Sequence, residues 1–145
     1  MQSGAFDPGA ELNQFMSGRT DKGACVSFTG FVRDYAEDDT VNTLELDHYP
    51  GYTETEIDRI RQMANTKWPD IDSLIIHRYG KLLAGEPIVQ VIVVSPHRKD
   101  AFEACTFLMD FLKTQAPFWK KEWRGETSAW IEPTEADYAA QKDWK

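Results

Sequence analysis

The chain has 145 residues, of which 41% are hydrophobic, and a net charge of −8 from 16 basic and 24 acidic side chains. This length predicts one domain over residues 1–145, with enough chain for a proper core. The sequence contains no apolar run of bilayer length and no charged-then-apolar leader, which predicts a cytoplasmic protein without a membrane partner. The acidic balance excludes nucleic acid as an expected partner, because backbone phosphates require a basic footprint.

The two cysteines, Cys25 and Cys105, are far apart in the sequence and form no C-x-x-C motif. This pattern predicts neither a metal site nor a redox dithiol, and no cofactor is expected.

The first third of the chain predicts a short helix and two strands. Residues 1–22 are expected to be irregular, apart from a helix that Asp7 caps and that runs to about Met16. Strands are predicted over 24–33 and 43–49, with an acidic loop at 34–40 between them. Gly30 inside the first strand predicts a bulge or the close approach of another group.

The middle of the chain predicts a helix and then two strands. Thr53 and Glu56 match a capping box, and an apolar stripe carries the helix to Pro69. Strands follow over 73–79 and 87–94, and the second is apolar at nearly every position, which predicts a central, buried strand. The histidines on these strands, His48 and His77, are expected to be structural or surface residues.

A second long helix is predicted from Pro96 to about Gln115, with Ser95 as its N-cap. The apolar positions of this helix predict a buried stripe of Phe102, Cys105, Leu108, Met109 and Leu112. His97 and Arg98 lie in its first turn, where unpaired N–H groups and the helix dipole favour an anion. The two readings are a phosphate or carboxylate site and an exposed first turn that happens to be basic.

The organising stretch of the sequence is Lys113-Thr-Gln-Ala-Pro-Phe-Trp-Lys-Lys-Glu122. Pro117 must end the helix, which makes Lys113 a last-turn cation and places Lys120 just beyond the bend. A hairpin over 118–123 and 128–131 and a last helix that begins near Thr134 complete the chain. The window 97–124 carries six cations and four anions, a net of +2 in an acidic protein. This basic island indicates a small anionic ligand or an acidic tail, unless it is a chance fluctuation of charge.

Neighbouring strand pairs that alternate with helices predict an α+β fold rather than a doubly wound parallel sheet. Five short motifs in order carry a family resemblance. They are Thr29-Gly-Phe-Val-Arg33, His48-Tyr-Pro-Gly51, His77-Arg-Tyr-Gly80, Ser95-Pro-His-Arg-x-x-Ala-Phe102 and the stretch from Lys113 to Glu122. Together they resemble the large, catalytic subunit family of molybdopterin synthase, over about residues 23–133.

The resemblance implies an α/β-hammerhead type of α+β fold and a sulfurtransferase. It also implies a homodimer in which each copy binds a small ubiquitin-like sulfur-carrier subunit, giving a heterotetramer. The carrier's C-terminal Gly-Gly thiocarboxylate would supply sulfur to cyclic pyranopterin monophosphate, which becomes molybdopterin.

The resemblance also implies roles for single residues. Lys113 and Lys120 would be catalytic, with Lys113 near the thiocarboxylate carbon and Lys120 stabilising charge or moving protons. The remaining substrate-binding residues would be Arg33, His97, Arg98, Phe31, Met109 and Lys121. His97 and Arg98 would hold the substrate phosphate, across the dimer interface in one reading.

Three points stay open at this stage. Only one of Lys120 and Lys121 can face the pocket, because side chains alternate along a strand. Met109 fits the core as well as the pocket. Ser128-Ala129 stands where a polar or basic residue is expected in relatives, which puts a substrate contact from that strand in doubt.

Two other functions compete with the enzyme. One is a non-catalytic adaptor that binds a ubiquitin-like tail through the basic groove. The other is a phosphate-binding protein that uses only His97 and Arg98. Replacing Lys113 by Arg separates enzyme from adaptor, because arginine keeps the charge and loses the proton chemistry.

Overall fold

The computed structural model describes residues 1–33, 35–36, 39–40, 43–115, 118–124, 127–131 and 135–144. Side chains are described throughout these ranges except at 35–36, 39–40, 119, 121–122, 124 and 127–131. The helices are α1 (Pro8–Met16), α2 (Tyr52–Lys67), α3 (Arg98–Thr114) and α4 (Glu135–Lys142). The strands are β1 (Ala24–Phe31), β2 (Tyr35–Ala36), β3 (Asp39–Thr40), β4 (Thr43–His48), β5 (Asp72–His77), β6 (Gly80–Leu83), β7 (Pro87–Ser95), β8 (Phe118–Arg124) and β9 (Thr127–Ile131).

The first sheet is antiparallel with the order β1-β7-β5. Its central strand β7 is buried from Val89 to Ser95, as its apolar sequence predicts. The register of β1 against β7 shifts between Gly30 and Phe31, which confirms the bulge that Gly30 predicted.

Helices cover both faces of this sheet. On one face, α2 and α3 form the main core with alternate residues of β7. Its fully buried members are Ile60, Ala64, Val91, Val93, Ala104 and Leu108. On the opposite face, α1 is held by Gln90, whose amide donates to the carbonyl of Pro8 at 3.0 Å. Asp7 caps α1 by accepting from the backbone of Gly9, as predicted.

The second sheet has the order β6-β4-β8-β9, and β2 pairs with β3. Val32, Leu44, Leu46 and Leu82 form a small second core beneath it. Phe118, the first residue of β8, packs against both cores. The start of β8 is therefore fixed at the junction between the two sheets.

The helix α2 begins two residues earlier than predicted. Gly51, with φ of 85°, is the N-cap, and its N–H donates to the Glu54 carboxylate. The proposed cap, Thr53, is buried and donates its hydroxyl to the carbonyl of Tyr49. Glu56 instead pairs with Arg59 at 3.0 Å. The capping-box assignment to Thr53 and Glu56 was wrong, because the preceding turn places Gly51 at the helix entrance.

Three further predictions need correction. The helix α3 starts at Arg98 with His97 as N-cap, rather than at Pro96 with Ser95 as N-cap. Phe102 is 62% exposed, so it does not belong to the buried stripe. The link between β5 and β7 contains the strand β6, which pairs with β4. The helix α3 ends at Thr114 with Gln115 as C-cap, as predicted, while Pro117 and the predicted cap Thr134 lie outside the described residues.

The α+β class and the antiparallel strand pairs agree with the sequence prediction. Within the part of the chain that the structure describes, no helix is long and apolar enough to cross a bilayer.

Candidate active site

Lys113 lies in the last turn of α3, and its side chain is half exposed. Its Nζ is 3.7 Å from Oδ1 of Asp137 on α4. The segment that follows α4 is fixed nearby, because Trp144 donates its Nε1–H to the Asp110 carboxylate at 2.6 Å. Asp110 and Lys113 are three residues apart on α3, so α4 is anchored beside the candidate catalytic lysine.

Lys120 lies on β8, directly across from Leu46 of β4, which is 2% exposed. Residues that face each other across antiparallel strands share one side of the sheet, so Lys120 lies on the buried side. Its pKa is lowered, first by burial and then by the positive charge of Lys113, while Asp137 raises it. The structure thus brings Lys113, Lys120 and Asp137 into one electrostatic cluster.

The lowered pKa of Lys120 has a chemical consequence. Burial disfavours the ammonium form, so a larger fraction of the amine is neutral near pH 7 than for an exposed lysine. A neutral amine can accept a proton, and its ammonium can return it. Lys113 and Lys120 therefore combine an exposed cation with a half-buried amine that can carry a proton.

His97 and Arg98 lie at the other end of α3, and both are exposed. The His97 backbone N–H donates to Oγ of Ser95 at 3.2 Å. No side-chain hydrogen bond caps this helix, so its first N–H groups remain directed at the space in front of the two basic residues. This arrangement suits a bound anion.

The helix keeps these two groups apart within one chain. From Arg98 to Lys113 the axis of α3 rises about 22 Å at 1.5 Å per residue. One small substrate molecule cannot contact both ends of α3.

Phe31 and Arg33 lie at the far end of β1 from His97. Phe31 pairs with Pro87, whereas Ala24 pairs with Ser95 near the start of α3. The seven residue steps from Ala24 to Phe31 span about 23 Å. Both Phe31 and Arg33 are exposed. Within one chain the structure does not bring them together with His97 and Arg98.

Met109 is partly buried and packs against the main core. This position agrees with the core reading that the sequence left open. The side chains of Lys121, Ser128 and Ala129 lie outside the described residues, so the choice between Lys120 and Lys121 stays a prediction.

Asp137 is one residue that sequence reasoning missed. It is 24 positions from Lys113, and only the packing of α4 on α3 brings its carboxylate to the lysine pair. An acidic helix that follows a basic island was the available signal.

Arg59 is a second missed residue. Its guanidinium donates to the side-chain oxygen of Gln115 at 2.9 Å. This bond ties α2 to the C-cap of α3, two residues beyond Lys113.

Elsewhere, an open cleft of about 480 Å³ lies beside α1 and is lined by Glu11, Gln14, Phe15, Ser17, Gly18, Arg19 and Leu74. It contains none of the candidate site residues. In the described residues, no cluster of three or more His, Cys, Asp or Glu is placed to hold a metal ion.

Comparison with known proteins agrees with this architecture. Residues 1–115 match the family model described as "MoaE protein". A protein of Mesorhizobium japonicum named "Molybdopterin synthase catalytic subunit" is 50% identical over 97% of this chain and 88% of its own length. A protein of the same name from Pseudomonas aeruginosa is 46% identical over 100% of this chain and 97% of its own.

A solved structure described as "Molybdopterin biosynthesis MoaE protein from Burkholderia ambifaria MC40-6" superposes with a TM-score of 0.83. It is 43% identical, and the match covers 99% of this chain and 94% of that one. The family match over most of the chain, together with the shared fold, shows that this protein belongs to the MoaE family.

Proposed function

We propose that this protein is the catalytic subunit of a molybdopterin synthase and acts as a sulfurtransferase. It would transfer sulfur from the C-terminal thiocarboxylate of a small ubiquitin-like carrier to cyclic pyranopterin monophosphate, forming the dithiolene of molybdopterin. The observation that carries the proposal is the pair Lys113 and Lys120 in a MoaE-family fold. The single domain over residues 1–145 and the cytoplasmic location stay predictions.

The cysteines support an external sulfur source. Burial raises the pKa of Cys105 to about 11 and also raises the pKa of Cys25. The thiolate is the nucleophilic form of cysteine, so both thiols are weak sulfur nucleophiles at neutral pH. A carrier that delivers activated sulfur as a thiocarboxylate removes the need for a reactive cysteine.

The lysine pair suits the transfer step. Each sulfur leaves a carrier acyl carbon and forms a bond to a pterin carbon, and water restores the carrier carboxylate. Lys113, half exposed at the end of α3, would lie near the thiocarboxylate carbon, where it would bind the anion and take part in the proton chemistry of the transfer. Lys120, with its lowered pKa, would take up and return the protons of the addition and hydrolysis steps.

A dimer would bring the phosphate-binding residues at one end of α3 close to Lys113 of the other copy. His97 and Arg98 are about 22 Å from Lys113 in one chain, so we place the substrate phosphate of one site on these residues of the second copy. The edge strand β1 and its neighbourhood offer a surface for self-association, since Phe28 and Phe102 are exposed.

The first test is a mass-spectrometric assay with cyclic pyranopterin monophosphate and thiocarboxylated carrier. Wild type should form the dithiolene, and Lys113→Ala should lose at least about 100-fold in rate. Lys142→Ala, an exposed lysine on α4, is the matched control and should keep full activity. Lys113→Arg separates the two classes of function. If the protein is an enzyme, Lys113→Arg should lose the turnover that wild type shows. If it is an adaptor, Lys113→Arg should bind the carrier as wild type does, and neither protein should form product.

The dimer has its own test, in which Arg98→Ala and Lys113→Ala chains are mixed. Each variant alone should be inactive. If a site takes Lys113 from one chain and Arg98 from the other, each mixed dimer has one intact site. Random mixing should then restore about one quarter of wild-type activity. A site built within one chain would recover nothing.

A further inference from the structure

His77 is a buried histidine beside the proposed active site that the mechanism above does not use. It is 5% exposed and closes β5. Its ring stacks on the ring of Phe118, with centroids 4.1 Å apart and planes 20° from parallel. Phe118 in turn begins β8 and packs against both cores. His77 therefore supports the strand that carries Lys120.

Hydrogen bonds hold the His77 ring and backbone in one orientation. Nδ1 lies 2.8 Å from the carbonyl oxygen of Arg78, and because a carbonyl only accepts, Nδ1 must carry the proton. The His77 carbonyl accepts from the backbone N–H of Gln2 at 3.0 Å. Arg78 is itself fixed by Glu86, at 2.8 Å, and by the carbonyl of Ser3. The N-terminal residues Gln2 and Ser3 and the link between β5 and β6 thus hold His77 in place.

The register of β8 connects the stack to the lysine. Phe118 and Lys120 are two residues apart and face His48 and Leu46 across β4, so they share one side of the sheet. A shift or rotation of Phe118 would move the Lys120 side chain with it.

We propose that His77 is a positioning residue for Lys120: by stacking on Phe118, it holds the start of β8 so that the Lys120 amine stays in its half-buried place. This inference rests on the proposed catalytic role of Lys120, and its test separates the two.

The charge state of His77 agrees with this role. Its pKa is lowered to about 3, first by burial, while the Arg78 carbonyl opposes this shift and the positive charges of Lys120, Met1 and His48 add to it. The ring is therefore neutral at physiological pH and adds no repulsion to the nearby ammonium.

Two substitutions distinguish the ring from the hydrogen bond. His77→Phe keeps a flat ring for Phe118 and loses the donor to the Arg78 carbonyl. His77→Asn keeps a donor and loses the ring. Both are studied as full chains with carrier present, after folding is confirmed by circular dichroism. One readout is kcat and KM in the dithiolene assay. The other is the rate at which acetic anhydride modifies Lys120, read by peptide mass spectrometry with Lys113 as internal control.

We expect His77→Phe to stay within about twofold of wild type in both readouts. We expect His77→Asn to lose about tenfold in kcat with KM unchanged, and to change the modification rate of Lys120 but not of Lys113. If Lys120 reactivity changes while turnover does not, positioning stands and the catalytic role of Lys120 fails. Equal impairment of both variants, or wild-type behaviour of His77→Asn in both readouts, overturns the inference.

Discussion

The two sheets bury different kinds of residue. In the β1-β7-β5 sheet, the central strand is buried over seven consecutive residues, and α3 packs apolar side chains against it. In the β6-β4-β8-β9 sheet, Leu44 and Leu46 belong to a small core next to β8, the strand that carries Lys120. His48 faces Phe118 at the start of β8, and His77 stacks on the Phe118 ring. The first sheet contributes most of the buried core, and the second holds Lys120 where burial lowers its pKa. Substitutions in the two regions should therefore separate folding from activity.

The largest effect is expected at Lys120. Lys120→Met should lower the rate of dithiolene formation at least about 100-fold, because the proton carrier is lost. The free energy of unfolding should stay equal or rise, since removing a half-buried ammonium removes a desolvation cost. Rate assays and urea denaturation measure the two quantities. Lys142→Met is the control. A large loss of stability in Lys120→Met would contradict the expectation that this substitution affects activity and not folding.

The opposite pattern is expected in the main core. Leu108→Ala, at a position with 0% exposure, should lower the free energy of unfolding by about 2–5 kcal/mol through lost burial and the cavity left behind. Activity per folded molecule should be unchanged. Thr106→Ala on the exposed side of α3 should change stability by less than about 0.5 kcal/mol. Urea denaturation compares the three proteins, and a selective loss of turnover in Leu108→Ala would contradict the division.

His77 links stability to pH. Between its ordinary pKa of 6.5 and about 3, the unfolded ring binds a proton that the folded ring does not. Stability should therefore fall as pH falls through this window, by up to about 1.4 kcal/mol per pH unit from this residue. His77→Phe removes the contribution, so its stability should depend less steeply on pH. Urea denaturation at pH 6 and pH 5 measures the difference, and identical slopes would show that His77 is not buried as described.

The smallest effect is expected at Asp137. Its charge raises the pKa of Lys120, so Asp137→Asn should lower that pKa further. The pH profile of kcat should therefore shift toward acid. Stability should change little, because the contact with Lys113 is half exposed. Glu135→Gln, an exposed position on the same helix, is the control and should leave the profile in place.

Regular apolar patterns were sufficient to predict the central strand β7 and the helix α3. These elements are specified by local sequence, because their period and their burial agree. The start of α2 was not specified by local sequence. Gly51 and Thr53 are both acceptable N-caps, and the geometry of the preceding turn chooses between them. The short strand β6 pairs with β4, a contact between segments far apart in the sequence that its own residues do not reveal.

The candidate site shows the same limit. Lys113 and Lys120 were predicted from their motif, and the structure brings them into one electrostatic cluster. Asp137 and His77 were not assigned to this cluster, because their contacts depend on tertiary packing across many residues. The separation of His97 and Arg98 from Lys113 along α3 needed only the helix rise, and it points to the second copy in the proposed site.

The anchoring of Trp144 has an optical consequence. Its indole donates to Asp110 and lies edge-on to Trp68 and Phe107, with ring centroids 5.9 Å and 5.5 Å away. An indole in such a setting has an emission spectrum that depends on whether α4 stays docked beside Lys113. The difference between the fluorescence of wild type and of Trp144→Phe would therefore serve as a built-in reporter, readable without a label, of events at the end of α3.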